Sequence, residues 1–326
     1  MLKQLRKRVT TSIIAASIAT LSSTAFASDL DKIHFIIPGG AGGGWDMTAR
    51  GTGDVLLKTD LVKQVSFQNL SGGGGGKAIA HMIETAERQQ DTLMVNSTPI
   101  VIRSLTGIFP QSFRDLTPIA STIADYGAIV VAGDSKYTSW KQVVADFKEN
   151  PRQVKIAGGS ARGSMDHLVI AAAFKGEGFD PRKVRYIAYD AGGKAMAAVL
   201  SGETPLLSTG LGEVLEMSKS GQVRILAITA PERLAAAPNV PTLKEMGNDT
   251  VFANWRGFFA APGISQEKID GFNKVLSKMY KTDQWVTVRD RNGWIDNYKA
   301  DKDFYKFLES QETLIGDLMR ELGFLK

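Results

Sequence analysis

Two glycine clusters carry the strongest chemical signal in the chain. The first runs Pro38-Gly39-Gly40-Ala41-Gly42-Gly43-Gly44-Trp45-Asp46, the second Asn69-Leu70-Ser71-Gly72-Gly73-Gly74-Gly75-Gly76-Lys77. Each stands between a short β-rich run (33–37, then 64–67) and a helical pattern. Strand, glycine loop and helix start together form an anion cradle. Glycine lets the backbone approach closely, and first-turn N–H groups have no partner inside their own helix. The residues placed to hold an anion here are Ala41, Gly42, Gly43, Gly44, Trp45, Asp46, Ser71, Gly72, Gly73 and Gly74. Asp46 and Ser71 are of helix-capping type, and Ser97 and Thr98 add hydroxyls after a third strand. Two cradles in succession suit a ligand with more than one negative group.

A matching set lies further on. Gly158-Gly159-Ser160-Ala161-Arg162-Gly163-Ser164 joins a strand to a helix, and Ala188-Tyr189-Asp190-Ala191-Gly192-Gly193-Lys194 repeats the arrangement one strand later. Ser160, Arg162, Gly163, Ser164, Tyr189, Gly192 and Gly193 are its candidates, with Ser164 the expected helix cap. A guanidinium grips a carboxylate bidentately, so Arg162 is the better direct contact and Lys194 the weaker. Trp45 and Tyr189 flank loops of the two sets. Each either closes over a ligand's carbon skeleton or staples its helix to the sheet.

Other chemistries fit less well. A dinucleotide fingerprint needs glycines at i, i+2 and i+5; Gly40 and Gly42 comply, but Trp45 stands third. A P-loop needs Ser or Thr after its lysine, and Ala78 follows Lys77. Of the three histidines, His34 falls in a strand and His81 and His167 in helices, with none paired at metal-ligand spacing. Gly158–Arg162 resembles a nucleophile elbow with arginine in place of its last glycine. No cofactor, metal or catalytic residue is expected.

The elements that must position these loops alternate strand and helix. Strands are predicted at 33–37, 62–67, 92–95, 128–131, 154–157, 184–188, 205–207, 223–229 and 251–260. Helices are predicted between them and over most of the chain beyond 266. Such order makes each domain a mainly parallel α/β sheet flanked by helices, with ligands at the strands' carboxyl ends. Residues 28–127 with 251–326 form the first domain and 128–250 the second. Two crossings, near 120–134 and 241–255, join them.

Residues 1–27 read as a secretory signal peptide: a basic start with Lys3, Arg6, Lys7 and Arg8, an apolar run, and Ala25-Phe26-Ala27 for cleavage. Four of the five net positive charges sit there, so the remainder carries about +1 and shows no field for nucleic acid. No cysteine is present, which excludes disulfides and a cysteine-borne lipid anchor. Nothing after the leader reaches ~18 consecutive apolar residues, so a soluble, periplasmic, monomeric protein is expected, not embedded in the membrane.

The chain resembles the TctC/Bug family, the periplasmic solute-binding receptors of tripartite tricarboxylate transporters. The likeness rests on Ile36-Ile37-Pro38 with Gly42–Asp46, Asn69 before its glycines, Asp125-Tyr126-Gly127, Gly158–His167, Arg185–Gly193 and Trp255-Arg256-Gly257-Phe258. It implies a two-domain clamshell of type II-like periplasmic-binding-protein form. A carboxylate would be held by backbone amides of 39–46 and 70–74, opposed by 160–164 and 189–193. It also implies transporter membrane subunits as partners. The Asp125-Tyr126-Gly127 and Trp45-Asp46 groups point to the tricarboxylate branch, with citrate as the first candidate. The five-glycine loop departs from the usual Gly-Ala-Gly. A receptor serving a sensor kinase and a periplasmic carboxylate enzyme remain as alternatives.

Overall fold

A computed structural model describes residues 30–326; the expected leader, 1–27, and its cleavage site lie outside the described residues. In chain order, β1 (Leu30–Ile37), α1 (Gly44–Lys58), β2 (Val62–Asn69), α2 (Gly76–Glu84), β3 (Thr92–Ser97) and α3 (Thr98–Thr106) open the fold. β1 pairs in parallel with β2 and β3, so both glycine loops and the start of α3 emerge at one end of the sheet. Ile33, Phe35, Ile36, Ile37, Leu93, Met94 and Val95 are buried, because helices cover both faces of a parallel sheet.

The element that organises the rest is β4 (Thr117–Ala132), sixteen residues long. Sequence reading places a break and Pro118 here and starts a strand only at 128. The small residues Ala120, Ser121, Thr122, Ala124 and Gly127 conceal the strand, and burial on both faces erases its period-two alternation. Its first half pairs antiparallel with β9 (Ala253–Ala260), its second half with two strands of the following series.

That series runs α4 (Trp140–Glu149), β5 (Lys155–Gly158), α5 (Met165–Gly176), β6 (Arg185–Ala188), α6 (Gly192–Leu200), β7 (Leu206–Gly210), α7 (Leu215–Lys219) and β8 (Val223–Ile228). β7, β5 and β6 are parallel, while β4 lies antiparallel between β7 and β8. Ile129 and Val131 face one apolar cluster with Trp140, Phe147 and Phe174; Ala128 and Val130 face another with Val199, Leu207 and Leu215. Alternate side chains of one strand thus feed both faces of the second sheet.

β9 is followed by α8 (Gln266–Tyr280), α9 (Asp283–Arg291), β10 (Ile295–Ala300) and α10 (Asp301–Glu321). These pack back on the first sheet: Phe304 of α10 lies 5.8 Å from Trp255 and 5.4 Å from Phe259, ring to ring. β10 pairs antiparallel with β4 and was not expected; its sequence, IDNYKA, is polar and half-exposed, as suits an edge strand with a bulge. The molecule is therefore a two-domain α/β clamshell with mixed sheets, parallel at β2-β1-β3 and at β7-β5-β6. Antiparallel β9, β4, β8 and β10 depart from the expected parallel pattern.

Thr229, just after β8, ties the two crossing segments together. Its Oγ1 accepts from the Gly127 amide at 2.8 Å and donates to the Phe252 carbonyl at 2.6 Å. Its own N–H donates to the Gly127 carbonyl, and Phe252 N–H donates to the carbonyl of Thr229.

Candidate functional site

A cavity of about 160 Å³ lies between the two sheets, at the carboxyl ends of β1, β2 and β3 and of β5 and β6. Four helices begin at its wall. Gly43, Gly44 and Trp45 bring the start of α1, and Ser97 and Pro99 that of α3. Ser164, Met165 and Asp166 bring α5, and Ala191 and Gly192 bring α6. In none of the four does the residue just before the helix cap it with its own side chain, although Ser160 Oγ accepts from the Asp166 amide of α5 and Asn254 Oδ1 from the Thr98 amide of α3. The positive ends of their dipoles and the first-turn amides left unpaired converge on one cleft, an arrangement that holds anions.

Local chemistry keeps these ends open. Asp46 Oδ2 accepts from the Gly42 amide at 3.0 Å while Oδ1 takes Arg50 and Asn69, so this carboxylate braces the loop from behind. Trp45 donates its indole N–H to Ser97 Oγ at 2.9 Å, leaving the serine's own proton free for the cavity. The indole also packs against Gly39 and Gly75, so it both fastens the two glycine loops and lines the site. Ser164 Oγ, buried, has no hydrogen-bond partner.

The second glycine loop explains its own composition. Gly72, Gly73, Gly74 and Gly75 have φ of +137°, +55°, +57° and +99°, a path that costs L-residues ~1–2 kcal/mol each. At Gly76 a methyl carbon would meet Phe109 at 2.1 Å. Neither Ser71 nor any other side chain caps α2, which starts from Gly75.

The loops of the two sheets touch over the cavity. A methyl carbon built on Gly40 would lie 2.6 Å from Ala191 Cβ, and one on Gly74 would lie 3.3 Å from Ala161 Cβ. Gly43 likewise abuts the Gly192 amide.

Of the residues singled out from sequence, Gly43, Gly44, Trp45, Gly72, Gly74, Ser97, Ser160, Ser164, Tyr189 and Gly192 line the cavity. Ala41, Gly42, Asp46, Ser71, Gly73, Thr98, Gly163 and Gly193 stand behind or beside it. Arg162 instead lines a separate outer hollow with Arg103, Phe109 and Phe324, because its loop turns the side chain outward. Lys194 is exposed and pairs loosely with Asp190 at 3.9 Å. Tyr189 donates its hydroxyl to Glu203 at 2.8 Å. His167 accepts from the Gly163 amide, stacks on Tyr186 at 4.7 Å, and is pulled down to about 4 by burial and then by Arg162.

Sequence reading missed the charged wall. Arg256 of β9 lies opposite Ser97 in register and reaches the cavity between the two sheets. Its Nη2 is 3.0 Å from Asp125 Oδ2 and 3.9 Å from Glu213 Oε1, and its Nη1 is 3.4 Å from Thr48 Oγ1. Asp125 Oδ1 also accepts from the Gly212 amide. Glu213 and Asp166 both face the cavity. Burial pushes Glu213 up to about 8 against the pull of Arg256, with Asp166 and Asp125 adding to the rise. Burial likewise raises Asp166 to about 6 although Ser160 and Gly159 hydrogen-bond it. Asp125 is raised by burial too, with Arg256 pulling against it. The available signal was the Trp255-Arg256 pair inside an otherwise apolar strand; an arginine there needs a buried partner.

Comparison with known proteins agrees with this geometry. The model of the tripartite tricarboxylate transporter family receptor, TctC, matches residues 50–324. Protein BugT of Bordetella pertussis is 28% identical over 260 residues, 76% of this chain and 75% of its own. Two solved structures share the fold. MatC from Rhodopseudomonas palustris with bound malate has a TM-score of 0.77 at 18% identity, covering 89% of this chain and 98% of its own. Rpa4515 of R. palustris with adipate has a TM-score of 0.81 at 19% identity, covering 90% and 97%. The chain belongs to the TctC family of solute-binding receptors of tripartite tricarboxylate transporters.

Proposed function

We propose that this protein captures a small di- or tricarboxylate in the periplasm by closing its two lobes, and delivers it to the membrane subunits of a tripartite tricarboxylate transporter. The lobes are 28–127 with 251–326, and 128–250, hinged where Thr229 joins Gly127 and Phe252. The observation that carries the reading is the convergence of four helix starts, two from each lobe, on one cavity, with those of α1 and α6 free of side-chain caps. An anion bound to one lobe alone meets half of those donors; closure brings the rest. Each charge-assisted bond contributes about 1.5–3 kcal/mol, so a few of them suffice for micromolar affinity after association costs.

Size supports the ligand class. The cavity, about 160 Å³, has room for a small organic acid. Malate and adipate, held by the two structural neighbours, are acids of that class. A thermal-shift screen with malate, succinate, adipate, citrate, tricarballylate and glutamate tests the reading, with nucleotides as the opposing arm. A binding carboxylate raises the midpoint in proportion to the logarithm of its excess over Kd. A shift with nucleotide and none with any carboxylate overturns it.

A further inference from the structure

The wall formed by Arg256, Asp125, Asp166 and Glu213 runs against simple anion capture, and its geometry has a consequence for ligand recognition. Three carboxyl groups crowd one guanidinium. Asp125 holds Arg256 at 3.0 Å with both side chains essentially buried, and it also accepts from the Gly212 amide. Asp166 is satisfied by the Ser160 amide at 2.9 Å. Glu213 is left with the poorest partners, Arg256 at 3.9 Å and the Gly210 amide, although its carboxyl group borders the cavity beside Gly192 at the start of α6. A carboxylate ligand drawn in by the helix starts would bring a fourth negative group to this one cation. Like charges this close cannot all remain ionised, and the most weakly paired carboxyl keeps its proton.

We infer that Glu213 is a specificity-determining residue that meets the ligand as a neutral carboxylic acid, donating its O–H to a ligand carboxylate. This rests on the receptor reading above and names what one wall of that site does. Around Glu213 stand Arg256 from β9, Asp125 from β4 and Asp166 from α5, with amides from the end of β7 and the start of α6; burial and the two acids oppose its ionisation, and Arg256 and the Gly210 amide favour it. The raised titration point of Glu213 is consistent with this state. Above that point capture requires proton uptake: Glu213-COO⁻ takes one proton from solvent, and the bound state holds ligand carboxylate and Glu213-COOH together.

The probe is a carboxylate that shifts the melt of the full chain, malate and adipate first, titrated by calorimetry from pH 6 to 9.5. Affinity is expected to stay level up to about pH 8 and then fall about tenfold per pH unit. In Glu213→Gln, which carries a permanent amide donor, whatever affinity remains should be level throughout. On the unaltered protein, binding heats at pH 8.5 in phosphate and in Tris should differ by the ionisation heat of the fraction of a proton taken up. That measurement decides even if the variant fails to fold. Level affinity to pH 9.5, a Glu213→Gln variant with the parental slope, or no buffer dependence overturns the inference and leaves the receptor reading intact. Affinity that rises with pH for glutamate but not for adipate would show an ionised Glu213 receiving an ammonium group, and also overturns it. Absence of binding by every carboxylate at every pH removes both readings.

Discussion

Arg256 and Asp125 meet at 3.0 Å with side-chain exposures of 2% and 0%, one from β9 and the other from the strand shared by both sheets. Asp125 lies two residues before Gly127, where Thr229 binds the crossing, and it reaches the Gly212 amide in the turn after β7. The pair therefore connects the Thr229–Gly127 crossing to the cavity wall. Glu213 stands nearly an ångström further from the same guanidinium nitrogen. Breaking a buried pair leaves an uncompensated charge, at a cost of about 3–5 kcal/mol. Asp125→Ala should lower the unfolding free energy by that order, seen as a lower urea midpoint with an unchanged slope. A double-mutant cycle should give a larger coupling for Asp125–Arg256 than for Glu213–Arg256; equal couplings would contradict the distances.

Gly40 isolates closure from folding. Its added methyl carbon would strike Ala191 at 2.6 Å across the cleft, while the nearest atom within its own lobe is Ser71 Oγ at 4.0 Å. Gly40→Ala should leave the ligand-free unfolding free energy within about ±0.5 kcal/mol, the range typical of surface changes. It should weaken carboxylate binding at least tenfold. Unchanged affinity would mean that closure tolerates the contact.

Gly74 behaves differently. Its φ is +57°, and a methyl carbon would fall 1.6 Å from the Arg103 guanidinium, whose Nε already donates to the Gly74 carbonyl. Gly74→Ala should lose at least the ~1–2 kcal/mol of the left-handed conformation, measured by denaturant unfolding without ligand.

Arg162→Ala should change carboxylate affinity less than threefold, since the side chain lines the outer hollow and not the cavity. Ser164→Ala removes a buried, unpartnered hydroxyl of a residue in the cavity wall and should weaken binding about fivefold or more. Isothermal titration of the two variants beside the parent checks the order; the reverse order would place Arg162 on the ligand.

Stability should depend on pH in two opposed ways. Glu213 titrates near 8 folded and near 4.5 unfolded, so between those values the folded form holds the extra proton and stability falls as pH rises. Asp166 adds the same sign between about 4 and 6. His167, at about 4 folded against 6.5 unfolded, acts oppositely: the unfolded chain takes up the proton, and stability falls as pH drops from 6.5 to 4. From pH 6.5 to 8 only Glu213 of these three contributes, at no more than about 1.4 kcal/mol per pH unit. Melting midpoints should decline over that window and level above 8, and Glu213→Gln should flatten it.

Much of this protein was legible without coordinates. The strand–glycine–helix units appear in order, because a βα unit is written locally in an apolar run, a glycine loop and a helical period. The four left-handed residues from Gly72 to Gly75, together with the crowding of Phe109 on Gly76, are the reason for a five-glycine run that a simple turn does not need. The shared strand β4 and the edge strand β10 were obscured for opposite reasons, burial on both faces in one and polarity in the other.

The sequence by itself determined the two sets of glycine loops, the anion chemistry of their helix starts, and the family resemblance. Only the tertiary structure decided which loop residues face the cavity, that Arg162 turns away from it, and that Arg256, Asp125, Asp166 and Glu213 meet there. Those four come from β9, β4, α5 and the turn after β7, far apart in the chain. Their chemistry arises from shared burial and mutual charge, which exist only once the strands have paired.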